Sequence, residues 1–257
     1  MRRSRSFAMA LVVAGGLLTA LAALAQIRGS RYWAYNGETG PPYWGLMGEE
    51  FRACRDGKAQ SPIDIRDASV HAANLPAIEF HYQPSKLTIN DTTHTIEVTY
   101  APGSYVTVGN ERYELKQFHF HRPSEEQING KSYPMAAHLV HESADGKVAV
   151  VTVFLTKGDA PSSLLKTLWD NVPKIRKVDT PVDAVTIDAS KLLPASKAYY
   201  KYSGSLTTPP CTEGVTWFVL KSPTTVSAGE IDRFAELYLR SARPVQPLNG
   251  REIDTGG

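Results

Sequence analysis

Runs of apolar residues predict several β-strands in the middle of the chain. His94–Tyr100 and Glu114–His121 alternate apolar with polar residues, which is the pattern of strands buried on one face. Ala136–His141 is strand-like as well. Val148–Leu155 is apolar without interruption, so we expect a central strand that is buried on both faces. Together these runs predict a β-rich core.

Two later stretches predict short helices. One surrounds Pro161 to Asn171, and the other runs from Ser227 to Arg240. Ser227 and Glu230 have the spacing of a capping box, in which each side chain binds the other residue's backbone N–H. No internal repeat, low-complexity tract or linker separates these elements, so we expect one domain.

The first 25 residues predict a secretory signal peptide. Three arginines open the chain, an apolar run extends from Phe7 to Ala25, and small residues surround the expected cleavage site before Gln26. We therefore expect a signal peptide over residues 1–25 and a mature domain over residues 26–257, in the periplasm or secreted. An uncleaved membrane anchor is the alternative. No other segment is apolar for long enough to span a bilayer.

Composition excludes several classes of protein. With 42% hydrophobic and 21% charged residues, the chain is neither disordered nor collagen-like. The net charge is +2, and no basic stripe suggests a nucleic-acid partner. Three of the 28 basic residues lie in the expected signal peptide, which leaves 25 basic against 26 acidic residues in the mature protein.

Cys54 and Cys211 are the only cysteines. An oxidising compartment permits a disulfide, and we expect one between Cys54 and Cys211. Two separate buried thiols are the alternative. The disulfide would close a loop of about 157 residues, for which the chain-entropy estimate of stabilisation is roughly 5 kcal/mol as an upper figure.

Seven histidines offer candidate metal ligands. His119 and His121 are two residues apart on a predicted strand, so their side chains share one face. His138 and His141 lie on the next predicted strand with opposite parity, so only one of them can join the pair. Three neutral imidazoles with a fourth position left to water suit a catalytic Zn²⁺. Two core histidines plus a surface histidine are the alternative explanation.

Three motifs identify the chain as similar to the α-class carbonic anhydrases of bacterial secreted type: Gln117–His121, Ala137–His141 and Ser205–Pro210. The resemblance extends from Trp33 to about Ile253, and its further motifs are Trp33–Tyr35, Trp44–Gly45, Gln60–Asp64, Gly214–Trp217 and Arg243–Pro247. It implies a mixed α/β, β-dominated single domain around a large, mostly antiparallel twisted sheet with short peripheral helices. It also implies reversible, zinc-dependent hydration of carbon dioxide to bicarbonate and a proton.

The resemblance assigns the central residues of the site. His119, His121 and His138 match the zinc ligands. Thr207 matches the threonine that accepts a hydrogen bond from zinc-bound hydroxide, and Glu125 matches the glutamate that accepts that threonine's proton. His94 matches the histidine that shuttles the proton to solvent.

The resemblance also assigns the surroundings of the site. Gln117 matches a hydrogen-bond partner of the first ligand, and Thr208 matches a residue that faces substrate and anions. The apolar wall that holds carbon dioxide matches Val140, Val150, Leu206 and Trp217. No nucleic-acid or membrane partner is implied, and because bacterial members are often dimers, a homodimer stays open.

Two positions near the expected site depart from the family pattern. Ala136 stands where many members carry a glutamate that hydrogen-bonds the third ligand, and Glu126 stands where a histidine is common. Because a methyl group accepts no hydrogen bond, His138 needs another partner, either a water molecule or a neighbouring group. We expect a water molecule in the space of the longer side chain. Weaker zinc binding would follow.

Two other functions fit the sequence less well. A catalytically silent binding module of this family usually lacks one or more zinc histidines, whereas this chain keeps all three together with Glu125 and Thr207. A closed structural zinc site needs four protein ligands, and the sequence offers no evident fourth.

Overall fold

One large sheet dominates the computed structural model, which describes residues 32–256. The strands are β1 Asp64–Ile65, β2 His71–Ala72, β3 Ile78–His81, β4 Ser85–Asp91, β5 Ile96–Thr99, β6 Tyr105–Val108, β7 Glu111–His121, β8 Gln127–Ile128, β9 Met135–Ser143, β10 Val148–Gly158, β11 Thr180–Ile187, β12 Tyr199–Ser205, β13 Glu213–Leu220, β14 Thr224–Ser227 and β15 Asp254–Gly256. The α-helices are α1 Ala53–Asp56, α2 Ser163–Asp170 and α3 Ala228–Leu237. Short 3₁₀ helices span Gly37–Thr39, Pro41–Leu46, Glu49–Phe51, Asp67–Ser69 and Ala189–Leu192.

The sheet is mostly antiparallel. Its main strand order is β11-β4-β5-β7-β9-β10-β13-β12-β15-β2, with β3, β6 and β14 joined beside this path. Only the pairs β10–β13, β10–β14 and β15–β2 run parallel among the described strands of this sheet. The β-dominated fold class predicted from the sequence is therefore confirmed.

Strand β10 lies in the middle of the sheet, and its side chains alternate between two apolar cores. Val151 and Val153 point into the larger core, whereas Val150 and Phe154 point into the second core on the opposite face. Residues 149–155 of the strand are all buried, so none of them faces solvent. This burial explains why the segment is apolar apart from the buried Thr152.

Helices α2 and α3 cover the larger core. Ser227 accepts a hydrogen bond from the Glu230 backbone N–H, and Glu230 in return accepts one from the Ser227 N–H, so the predicted capping box is present. Helix α3 ends at Leu237, three residues earlier than predicted, because Tyr238 turns to an extended conformation. The Tyr238 hydroxyl group donates to the buried carboxylate of Asp91, and this hydrogen bond holds Tyr238 outside the helix.

The segment around His94 departs from the strand that the sequence predicts. Thr92 N–H donates to Thr95 O, and Thr93 has a φ of 72°, so residues 92–95 form a turn and β5 begins only at Ile96. The alternation over His94–Tyr100 therefore overestimates the strand by two residues at its beginning. His94 therefore lies in the connection between β4 and β5 and not on a strand.

A disulfide joins Cys54 and Cys211, as predicted, with their Cα atoms 5.0 Å apart. Cys211 N–H donates to Thr208 O, so the disulfide braces the loop that follows β12. Within residues 32–256, no helix is both long and apolar enough to cross a membrane. The predicted signal peptide, residues 1–25, lies outside the described residues.

Candidate metal centre

Three histidines converge where β7 and β9 pair. His119 and His138 are directly opposite each other in the antiparallel register, and His121 follows two residues later on the same face of β7. One ring nitrogen from each histidine lies within 4.8 Å of the other two. His141 points to the opposite face, where a 2.8 Å hydrogen bond joins its Nε2 to the Tyr82 hydroxyl group. The register thus selects His138, not His141, as the third member.

Each of the three imidazoles also has an outer partner that occupies one ring nitrogen. The pairs are His119 Nδ1 with Gln117 Oε1 at 2.8 Å, His121 Nδ1 with Ser241 O at 2.6 Å, and His138 Nε2 with Glu126 Oε2 at 3.1 Å. The nitrogens left for a metal are Nε2 of His119, Nε2 of His121 and Nδ1 of His138. Gln117 is the predicted partner of the first ligand.

Burial keeps two of the rings in the neutral form that binds metals. Burial and the neighbouring His138 lower the pKa of His119 to about 3. Burial, together with His138 and His119, also lowers the pKa of His121 well below its usual value. For His138, burial acts to lower the pKa, but the carboxylates of Glu126 and Glu125 outweigh it and raise the pKa.

The donor set fits Zn²⁺. His121 Nε2 is buried and has no hydrogen-bond partner among the described residues, and a bound cation would supply one. Three imidazole nitrogens are a usual zinc donor set, and a three-ligand site leaves a position for a reacting molecule. Within the part of the chain that the structure describes, the cluster contains no fourth ligand.

Glu125 and Thr207 lie next to the three histidines. The Arg243 backbone N–H donates to Glu125 Oε1 at 2.8 Å, and the side chain of Thr207 also interacts with this carboxyl group. Glu125 Oε2 is 3.4 Å from His121 Nε2. Burial, with a contribution from the charge of Glu126, raises the pKa of Glu125 to about 7.

The histidines form the floor of a cavity of about 320 Å³. Four apolar residues that the resemblance assigns to the substrate wall line it: Val140, Val150, Leu206 and Trp217. Three of them meet because Val150 on β10 is opposite Val140 on β9 and opposite Trp217 on β13. Thr207 and Thr208 also line this cavity, so all the predicted substrate-facing residues come together.

His94 lies in the lining of the same cavity and is half-buried. Its ring stacks on Trp33 at a centroid distance of 3.6 Å, and its Nε2–H donates to Trp33 O at 2.7 Å. Burial lowers the pKa of His94, and the hydrogen bond to Trp33 partly opposes this effect. Tyr35 and Thr92 line the cavity beside it.

The expectation of a water molecule beside His138 is wrong. The outer partner of His138 is the carboxylate of Glu126, which is fully buried. Sequence reasoning noted Ala136 and Glu126 as separate departures and missed that they concern the same ring. The signal was available: one position loses a carboxylate and another gains one.

Comparisons with known proteins agree with this geometry. A family model described as eukaryotic-type carbonic anhydrase matches residues 39–256. A carbonic anhydrase of a Nostoc species is 41% identical over 224 residues, covering 86% of this chain and 84% of that protein. A carbonic anhydrase from Pectobacterium carotovorum is 42% identical over 226 residues, which cover 87% of this chain and 91% of that protein.

Solved structures are similar as well. The α-carbonic anhydrase from Thermovibrio ammonificans, in complex with the inhibitor sulfanilamide, superimposes with a TM-score of 0.83 at 41% identity. The alignment covers 88% of this chain and all of that one. A hyperthermostable carbonic anhydrase from a hydrothermal vent chimney gives a TM-score of 0.83 at 45% identity, with the same coverage. With a family model that spans most of its length and relatives above 40% identity, the chain belongs to the α-class carbonic anhydrase family.

Proposed function

We propose that this protein is an exported zinc enzyme that interconverts carbon dioxide with bicarbonate and a proton. The observation that carries the proposal is the convergence of three imidazole nitrogens beside Glu125 and Thr207, at the floor of a cavity with an apolar wall. Family membership agrees with this reaction.

Three nitrogens would hold the metal: Nε2 of His119, Nε2 of His121 and Nδ1 of His138. Zn²⁺ in such a site lowers the pKa of a water molecule and so supplies a hydroxide nucleophile near neutral pH. The outer partners prepare the rings for this task, because each fixes a tautomer and a ring orientation.

Glu125 and Thr207 orient the attacking oxygen. The Arg243 N–H holds Glu125 in place, so its carboxylate can accept a hydrogen bond from the Thr207 hydroxyl group. A cation among the histidines would favour this ionised form of Glu125, because opposite charge lowers a carboxyl pKa. Thr207 Oγ1 then has only lone pairs to offer. The attacking oxygen must donate a hydrogen bond to Thr207 Oγ1. This contact directs a lone pair of the attacking oxygen at the substrate carbon.

The apolar wall suits carbon dioxide. This substrate has no net dipole and no hydrogen-bond donor, so it gains little from polar contacts. Val140, Val150, Leu206 and Trp217 offer it a surface from which water is easily displaced. Thr208 lies beside Thr207 and supplies a polar contact for the charged product.

His94 relays the proton that hydration releases. A histidine titrates near neutral pH, so it can take a proton from the site and pass it to buffer. His94 lies in the cavity lining and is half-buried, and it therefore reaches both the site and solvent.

The activity is tested by stopped-flow hydration of carbon dioxide with metal-stripped and zinc-restored protein. We expect the stripped protein to show only the uncatalysed rate and one equivalent of zinc to restore turnover. Zinc in protein-free buffer is the control. A zinc-restored protein that is no faster than this control would overturn the proposal.

Export is the second part of the proposal. The Cys54–Cys211 disulfide and the signal peptide predicted over residues 1–25 both support a periplasmic or secreted protein. Mass spectrometry of the protein released from the periplasm or medium would be expected to find Gln26 at the N-terminus. An intact N-terminus on protein retained in the cell would contradict it.

A further inference from the structure

The third imidazole of the cluster is oriented differently from the other two. His119 and His121 offer Nε2 to the centre, whereas His138 offers Nδ1, because its Nε2 is turned outward. The orientation of this ring therefore depends on what holds Nε2–H on the side away from the metal.

That contact comes from outside the sheet. Glu126 Oε2 accepts from His138 Nε2–H at 3.1 Å, and both side chains are almost completely buried. The residues of the sheet next to His138 do not compete for it. Ala136 shares a face of β9 with His138 but carries only a methyl group, and Thr152 Oγ1, on the neighbouring strand, has no partner among the described residues.

The backbone around Glu126 is held on both sides. Ser124 Oγ donates to Glu126 O at 2.8 Å and accepts from Tyr133 N–H at 2.9 Å. On the other side, Gln127 N–H donates to Ile63 O at 3.1 Å. A carboxylate on such a fixed segment can hold a ring in one orientation.

We propose that Glu126 is the positioning residue for the third zinc ligand. It takes this role because Ala136 offers no acceptor for the outer N–H of His138. The inference rests on the proposed function, since it concerns the zinc that this function requires. A carboxylate that accepts the second N–H of a ligating imidazole fixes its tautomer and makes it a stronger donor. Glu126 also places a negative charge in a buried site that would hold a dication, which favours retention of the metal.

The test is the rate at which zinc-loaded protein loses its metal to excess dipicolinate at one pH. We expect Glu126→Ala to release zinc about 10- to 100-fold faster than the wild type, the usual effect of removing such a partner. Glu126→Gln keeps an acceptor but not the charge, so we expect a smaller increase, about fivefold. Glu142→Gln, an exposed carboxylate on the same strand as His138, is the matched control and should release zinc at the wild-type rate.

A relocated carboxylate separates positioning from general loss of structure. Residues 136 and 138 share a face of β9, so a glutamate at position 136 can approach the same ring. We expect Glu126→Ala with Ala136→Glu to release zinc within about threefold of the wild-type rate. A merely structural defect in Glu126→Ala would not be repaired by a longer side chain at a second buried position.

The outcomes distinguish this inference from the proposed function. If the wild type does not retain one equivalent of zinc, the proposed function fails. If the wild type retains zinc and both Glu126 variants release it at the wild-type rate, the positioning role is wrong. Should Glu126→Ala fail to fold, as thermal unfolding of the zinc-free protein would reveal, the nearly isosteric Glu126→Gln decides the question by the same measurement.

Discussion

Single residues in this site act through the face of the sheet on which they lie. His138 and His141 are three residues apart on β9, yet one joins the cluster with His119 and His121 and the other faces the larger core beside Tyr82. The same chemical group is thus a proposed metal ligand in one place and a buried hydrogen-bonding group in the other. Mutation of His138 should therefore affect zinc retention, whereas mutation of His141 should affect the stability of the fold.

The ligand assignment predicts the effects of alanine substitutions. His119→Ala, His121→Ala and His138→Ala should each abolish zinc retention and hydration, because each removes one of three ligands. His141→Ala should keep zinc and most of its activity, while its loss of buried contacts lowers the free energy of unfolding. Zinc content by atomic absorption and stopped-flow hydration check both statements. An inactive but folded His141→Ala together with an active His138→Ala would refute the assignment.

The proton relay predicts a buffer-dependent defect. His94→Ala should slow hydration in weak buffer on the order of 100-fold, the usual contribution of a positioned proton-transfer group. Added imidazole should restore much of the rate. Oxygen-isotope exchange at chemical equilibrium, which does not need the relay, should barely change. If imidazole fails to rescue this variant, His94 is not the relay.

Burial of His141 predicts acid sensitivity. Burial lowers its pKa in the folded protein from about 6.5 to about 4. Between these values the unfolded chain binds a proton that the folded protein does not, so stability is complete above pH 6.5 and is lost as the pH falls to 4. The difference between these two pKa values corresponds to a loss of about 3 kcal/mol.

Urea unfolding of zinc-free protein at pH 7.5 and 4.5 measures this effect. His141→Gln should lose less stability over that interval than the wild type does. His119 and His121 titrate in both proteins, so their contribution cancels in the comparison. Equal losses in the two proteins would show that His141 is not responsible.

At the level of secondary-structure elements, one buried carboxylate connects two helices. Glu230 Oε2 closes the capping box of α3 by accepting from Ser227 N–H at 2.8 Å. The same oxygen accepts from Ser162 N–H, at the beginning of α2, at 3.0 Å. Both helices cover the larger core, so this contact holds the layer behind the strands that carry the histidines.

This arrangement predicts unequal costs for two cap mutations. Ser227→Ala should lower the free energy of unfolding by about 1 kcal/mol, the usual value for an N-cap. Glu230→Ala should cost more, because it removes acceptors for two backbone N–H groups. Glu236→Ala, at an exposed position of α3, is the control and should be nearly neutral. Chemical denaturation would contradict the idea if Ser227→Ala were the more harmful change.

In the whole molecule, the disulfide and Arg243 connect the segment that contains Cys54 and Ser61 to the site. The Arg243 guanidinium group donates to Cys54 O at 3.0 Å and to Ser61 O at 2.7 Å, while its backbone N–H binds Glu125. Cys211 lies in the loop after Thr207 and Thr208. Segments far apart in sequence are thereby held around one carboxylate.

Reduction of the disulfide should lower the stability of the protein without removing a zinc ligand. It closes a loop over a sequence separation of 157 residues. Reduction should therefore lower the thermal midpoint, with a cost of up to about 5 kcal/mol. Zinc should stay bound in the folded fraction, because no cysteine is a ligand. Calorimetry with and without reductant checks this, and two titratable thiols in native protein would contradict it.

The sequence alone was enough for features that depend on local periodicity. Two-residue spacing put His119 and His121 on one face, uninterrupted apolar residues predicted the central strand β10, and the capping-box spacing predicted the beginning of α3. Such features follow from the geometry of a single strand or helix, so neighbouring residues specify them. The motif resemblance supplied the remaining site residues. The structure places His94, Gln117, Thr207, Thr208 and the apolar wall in the lining of one cavity, and Glu125 beside the histidines.

Tertiary structure decided everything that depends on contacts between distant segments. The β7–β9 register chose His138 over His141, a turn removed His94 from its predicted strand, and the bond from Tyr238 to Asp91 ended α3 early. The partner of His138 was decided in the same way, since Glu126 reaches it from a loop twelve residues away. Local periodicity carries no information on which strands pair or which side chains meet across them. Burial and hydrogen bonding in the folded chain settle those choices.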